Sequence, residues 1–167
     1  MCLQIDKTQT DEIKSKFKTG EVIEVYKVAV LVDFEGKKRL MPPVYPSTLY
    51  QCGANLSDRD STMLTDKESK DNRIFLGFHV FLDKNEADVF LDKEILAFED
   101  KKAPRKYTIV ECEVDIDSFV AAGTFMYYSP EGLKSLEPGV YKSAVFSKMN
   151  IRQEEYDRAI GEAEHVS

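Results

Sequence analysis

Residues 22–32 constrain this chain more than any other stretch, because six of these eleven positions are β-branched. Two heavy atoms on Cβ crowd a helical turn but sit well on a pleated strand. Tyr26, Val28, Val30 and Val32 share one face at a period of two. The later half is apolar on the other face as well, and a strand apolar on both faces belongs inside a sheet that is covered on both sides. The chain must therefore supply further strands, and several segments qualify. In 74–82, Ile74, Leu76, Phe78, Val80 and Leu82 alternate with Phe75, His79 and Phe81, with Gly77 among the latter. In 107–116, Val110, Cys112, Val114 and Ile116 face inward, while Glu111, Glu113 and Asp115 face out. Residues 119–125 read as extended and 141–151 as a last strand.

Turns and helices fill the intervals. Phe34-Glu35-Gly36-Lys37 has the composition of a hairpin turn leading into Arg39-Leu40-Met41, and Ser129-Pro130-Glu131-Gly132 and Pro138-Gly139 mark two more turns. Pro42, Pro43 and Pro46 break regular structure, and 50–54 reads as a short strand or an irregular crossing. A first helix over 8–19 has Thr8 or Thr10 as its cap, Ile13 and Phe17 on one face, and Gly20 as its stop. A second begins at Asp83 with Glu86 three residues on, the spacing of a capping box. Ala87, Phe90, Leu91, Ile95 and Phe98 follow on one stripe. A third spans 152–163 with Tyr156, Ile160 and Ala163 together. These elements predict an α+β fold, a mainly antiparallel β-sheet with about three peripheral helices, in a single domain over 1–167.

Charge and cysteine usage narrow the function. Lys and Arg total 23 against 30 Asp and Glu, a net charge of −7. A phosphate-binding face needs clustered Lys and Arg, so nonspecific nucleic-acid binding is not expected. An acidic surface instead favours solubility, a basic partner, or mimicry of nucleic acid, and the last lacks a regular spacing of carboxylates. Cys2, Cys52 and Cys112 lie far apart with no CxxC pair, so a zinc site is not expected; no motif calls for a cofactor, and none is expected. The start of the chain has no basic stretch followed by an apolar core, and the longest apolar run is Ala29-Val30-Leu31-Val32. A cytoplasmic protein with free thiols and no membrane span is the expectation.

Four groups of residues could carry chemistry. His79 lies beside Gly77, where missing side-chain volume admits a close neighbour. It reads either as a general base or ligand-binding group, or as a core histidine bonded to the backbone among Phe75 and Phe81. Residues 57–73 hold nine charged side chains among seventeen positions and read as a long surface loop. In it Ser57, Ser61 and Thr62 could hold an anionic group with Arg59 as a bidentate donor, or the loop is simply solvated. Glu111, Glu113 and Asp115 would stack about 7 Å apart on one strand face, as a metal or acid–base row or as plain solvent face. Tyr45, Tyr50, Tyr127, Tyr128 and Tyr141 lie in or beside turns, where tyrosine suits a binding surface and equally a place in the core. No GxSxG elbow is present.

Taken in order, Met1-Cys2-Leu3, Tyr26-Lys27-Val28, Gly53-Ala54-Asn55-Leu56-Ser57-Asp58-Arg59, Gly77-Phe78-His79-Val80-Phe81, Glu86-Ala87 and Cys112-Glu113-Val114 resemble a family of uncharacterised small phage and bacterial proteins. Val120 to Phe125, Ala144-Val145-Phe146 and Glu154-Glu155-Tyr156 extend the resemblance over most of the chain. It implies an origin in a phage or mobile element and a shared site around Arg59 and His79. The order Tyr26, His79, Glu86-Ala87 also resembles ADP-ribosyltransferase-like folds. Lys27 stands beside Tyr26 where those folds carry arginine or histidine, and no residue matches their late glutamate, so no catalytic role carries across. The expected function is a soluble binding protein of phage or mobile-element type. It would bind a host protein or a small anionic ligand through Arg59, Tyr50, Asn55, Ser57 and His79. The alternative is a nucleotide-using enzyme, such as an ADP-ribosyltransferase-like transferase.

Overall fold

A computed structural model describes residues 2–43, 48–57, 73–74, 76–96, 105–129, 132–135 and 143–161. The elements run β1 (Cys2–Ile5), α1 (Lys7–Lys16), β2 (Val22–Phe34), β3 (Lys37–Met41), β4 (Gly53–Leu56), β5 (Arg73–Ile74), β6 (Phe78–Phe81) and α2 (Lys84–Phe90). They continue with β7 (Lys106–Asp115), β8 (Phe119–Ser129), β9 (Gly132–Ser135), β10 (Ser143–Phe146), β11 (Lys148–Ile151) and α3 (Gln153–Gly161). Every strand pairing among them is antiparallel. The fold is α+β, as the alternation of the sequence requires.

The 22–32 segment is the central strand. β2 pairs with β7 over ten residues, from Val22↔Asp115 to Leu31↔Lys106. Its other edge is shared. Residues 30–34 pair with β3 through the Glu35-Gly36 hairpin, and Tyr26 pairs with Phe81 of β6. The sheet continues in the order β4-β11-β7-β2-β6-β10-β8-β1-β5. β10 runs into β11 through Ser147 alone. The Ser147 N–H donates to Ser118 O at 2.8 Å, and its carbonyl accepts from Ser57 N–H at 2.9 Å. One bent strand thus pairs with β6 and β8 before Ser147, and with β4 and β7 after it.

Two apolar clusters cover the sheet. One gathers Val25, Ala29, Phe78, Val80, Cys112 and Phe146 under α1 and α3; the other gathers Val28, Phe81, Phe125 and Val145 under α2. Burial of these faces is the main favourable term in folding.

Local differences from the sequence reading have physical causes. The 74–82 segment is two strands, because Gly77 adopts φ +84°, a left-handed conformation that breaks the pleat. The 141–151 segment is likewise divided at Ser147. Asp6, not Thr8 or Thr10, caps α1, accepting from Gln9 N–H at 3.0 Å. Thr10 is instead buried against β8, accepting from Ala122 N–H at 3.0 Å. Asp83 caps α2 as its spacing indicates, but it accepts from Asn85 N–H at 2.8 Å. The α2 stripe continues through a π-helical turn at Leu91–Ile95. In α3, Ala159 joins Tyr156 in the core. Phe98, Pro138-Gly139 and Ala163 lie outside the described residues.

Candidate functional site

The residues singled out for binding fall into separate places. His79 is buried, its ring 5.5 Å from that of Phe125. Nε2 lies 3.1 Å from Ile74 O and Nδ1 3.3 Å from Gly77 O. Burial, reinforced by the nearby Lys27 charge, pushes its pKa down to about 3. A neutral imidazole has one N–H, so one carbonyl receives a hydrogen bond and the other meets a lone pair. These are the partners of a core histidine.

Tyr50 is also buried. It bridges to Leu40, stacks obliquely 6.2 Å from Phe78, and its carbonyl accepts from Tyr156 OH at 3.3 Å. Asn55 closes its own turn. Its Oδ1 accepts from Gln51 N–H at 2.9 Å, and its Nδ2 donates to Gln51 O and Gly53 O at 2.9 and 3.0 Å. Ser57 extends the β4–β11 pairing through its main chain. Arg59, with Tyr45 and Tyr141, lies outside the described residues.

What joins two of these residues is Lys27. Its side chain is fully buried on the α1 face of β2. Nζ donates to His79 O at 2.6 Å and lies 6.0 Å from the centroid of the Tyr50 ring. Burial lowers its pKa to about 8. A charged ammonium has three donors, and among the described residues one oxygen meets them. Burial also raises the neighbouring Cys112 thiol to about 12, so it is inert at neutral pH. The sequence signal for Lys27 was its place between Val25 and Ala29 on the second face of an apolar strand.

The outward carboxylate row of β7 is largely tied up. Glu111 is paired with Arg152, which also reaches Glu113 at 3.7 Å. Asn150 Nδ2 donates to Glu113 at 3.1 Å, and Asp115 accepts from Asp117 N–H at 2.9 Å. Tyr26 OH donates to Glu24 at 2.6 Å, which raises its pKa to about 12. Burial, then hydrogen bonding to the Glu24 carboxyl, raises the pKa of Glu111. Among the described residues no three His, Cys, Asp or Glu side chains are grouped to hold a metal.

An open concavity lies elsewhere, where β2 and β6 part. β6 ends at Phe81, and the chain turns at Leu82 and Asp83 into α2, so that among the described residues no strand pairs with the start of β2 on that side. The resulting cleft is about 610 Å³. Ile13 and Phe17 of α1, with Ile23 and Leu82, give it an apolar lining. Among the described residues, Glu12, Glu24, Asp83 and Glu86 stand around it against one cation, Lys16. The sequence gives no local signal for this cleft, since its walls are brought together by the divergence of two strands. No helix of the described residues is long and apolar enough to cross a membrane. Comparison with protein-family models, with curated proteins and with solved structures finds no match.

Proposed function

We propose that the protein is a binding protein whose β2–β6 cleft takes a short basic segment of a partner protein. The observation that carries this reading is the composition of the cleft wall: among the described residues, four carboxylate residues to one lysine, around an apolar lining. Such a wall attracts an ammonium or guanidinium group with an apolar stem and repels an anion. The net charge of −7 adds long-range attraction for the same partner. This supports the protein-partner form of the expected function over the small-anion form.

The test is calorimetric titration of the full chain with a blocked heptapeptide alternating arginine and valine, beside its glutamate–valine counterpart. The arginine peptide binds, its affinity falls as salt rises, and the glutamate peptide does not bind. Thermal unfolding with NAD, ATP and ADP-ribose provides the opposing arm. A nucleotide that raises the midpoint by several degrees, with no binding of the arginine peptide, would overturn the reading in favour of the nucleotide-using enzyme.

A further inference from the structure

The hydrogen-bond parity of β2 defines how a segment would sit in this cleft. Ile116 N–H donates to Glu21 O at 2.9 Å, in the same register as the β2–β7 pairs. Antiparallel pairs alternate between bonded and non-bonded, so residues 21, 23, 25 and onward direct their main-chain groups to β7. Residues 22, 24 and 26 direct theirs to the opposite edge. Tyr26 meets Phe81 there. Beyond it, no main-chain group of the described residues pairs with the N–H or C=O of Val22 or Glu24 on that edge. Both residues are exposed, and Ile23 and Glu24 line the cleft.

We infer that the occupant binds by strand addition, as an extended segment antiparallel to β2 that continues the line of β6. This rests on the reading of the cleft as a basic-segment site and specifies how that segment is held. Residues of the segment opposite Val22 and Glu24 exchange main-chain hydrogen bonds with them, as in other cases of strand addition to a free edge. Directly opposed side chains share a face of the sheet, so those residues project beside Glu24. This is where arginine is favoured. The intervening residue projects to the face of Ile23, towards Ile13 and Phe17, where an apolar side chain is favoured. Alternation of basic and apolar residues is therefore the recognised pattern.

Two N-methylated forms of the arginine–valine heptapeptide test this. N-methylation of the arginines removes the N–H groups that donate to Val22 O and Glu24 O; N-methylation of the valines removes N–H groups that point away. The expected result is affinity weakened about tenfold or more by the first, affinity within about twofold of the parent for the second, and slowed amide exchange at Glu24 in the complex. If both forms bind like the parent, or both lose binding equally, strand addition is overturned while the basic-segment reading stands on the parent peptide. If the parent peptide itself fails to bind, both are overturned.

Discussion

The interior around Lys27 and the cleft where β2 leaves β6 are only a few residues apart along one strand, yet they treat polar groups in opposite ways. Around Lys27, polar atoms are enclosed and used by the fold. Nζ is spent on His79 O, the His79 ring faces two carbonyls, and Asn55 is spent on its own turn. At the cleft, carboxylates stand around an open space, and among the described residues no strand pairs with the adjoining edge of β2. Buried polar groups without partners are costly, so a fold tends to satisfy its interior. The lesson is that a histidine inside a strongly apolar strand signals a structural need first. Capacity to bind is left where strands diverge. The comparison predicts that changes in the interior alter stability and spare peptide binding, whereas changes in the cleft do the reverse.

The largest expected effect is that of His79→Ala. Loss of a fully enclosed ring and of its carbonyl contact should cost about 3 kcal/mol in urea unfolding. The same residue sets an acid limit. Its folded pKa of about 3 lies below the ordinary 6.5, so the unfolded chain binds the proton more readily. Stability from this group is complete above pH 6.5 and is lost as pH falls towards 3. His79→Phe, which keeps a ring and removes the titration, should flatten that part of the profile. An unchanged acid midpoint in His79→Phe would mean the ring is not held neutral by the core.

Lys27→Met should act with the opposite sign. The folded pKa of about 8 lies below the ordinary 10.5, so the charged amine is a penalty on the folded state. That penalty is full below pH 8 and is relieved between 8 and 10.5. Replacing the ammonium with a thioether of similar length should stabilise the protein by about 2 kcal/mol at pH 7, with the advantage shrinking as pH rises through that window. A Met variant less stable at every pH would show that the His79 O hydrogen bond outweighs the buried charge.

The cleft gives the third effect. Glu12→Lys, on the exposed face of α1, should weaken the arginine peptide about tenfold, ~1.4 kcal/mol, and shift unfolding by less than about 0.5 kcal/mol. Equal loss of binding in His79→Ala and Glu12→Lys would erase the distinction between the two regions.

How far the sequence revealed each region follows from the range of the interactions that build it. The strand at 22–32 was legible because β-branching and period two are local properties, and its ten-residue pairing with β7 bears out a central strand. The hairpin at Glu35-Gly36 and the Asp83 cap were legible for the same reason. The breaks at Gly77 and Ser147 were not: a glycine permits the left-handed φ that Gly77 adopts without announcing it, and the division at Ser147 depends on which strands the chain meets on either side. The cleft was illegible altogether. Glu12 and Glu24 belong to no motif and Glu86 reads as part of a helix cap, and only the departure of β6 from β2 sets them around one space. Lys27 was visible as a lysine on an apolar face, but its partner is a main-chain carbonyl, which no residue type announces.

The smallest effect probes whether the two regions are joined through the charges on the outer face of β2 and β7. Arg152 is paired with Glu111, its side chain is half exposed, and such pairs contribute about 0.5 kcal/mol at most. Arg152→Ala should therefore cost about 0.5 kcal/mol at low salt and almost nothing near 1 M salt. Its electrostatic effect is more informative. Arg152 opposes the upward shift of Glu111, whose carboxyl is hydrogen-bonded to Glu24, so its removal should raise the Glu111 pKa further in a carboxyl NMR titration. Arg152 does not line the cleft, so peptide affinity at pH 7 should change by less than about twofold. A larger change would mean that the outer ion pairs govern the cleft as well as decorate the sheet.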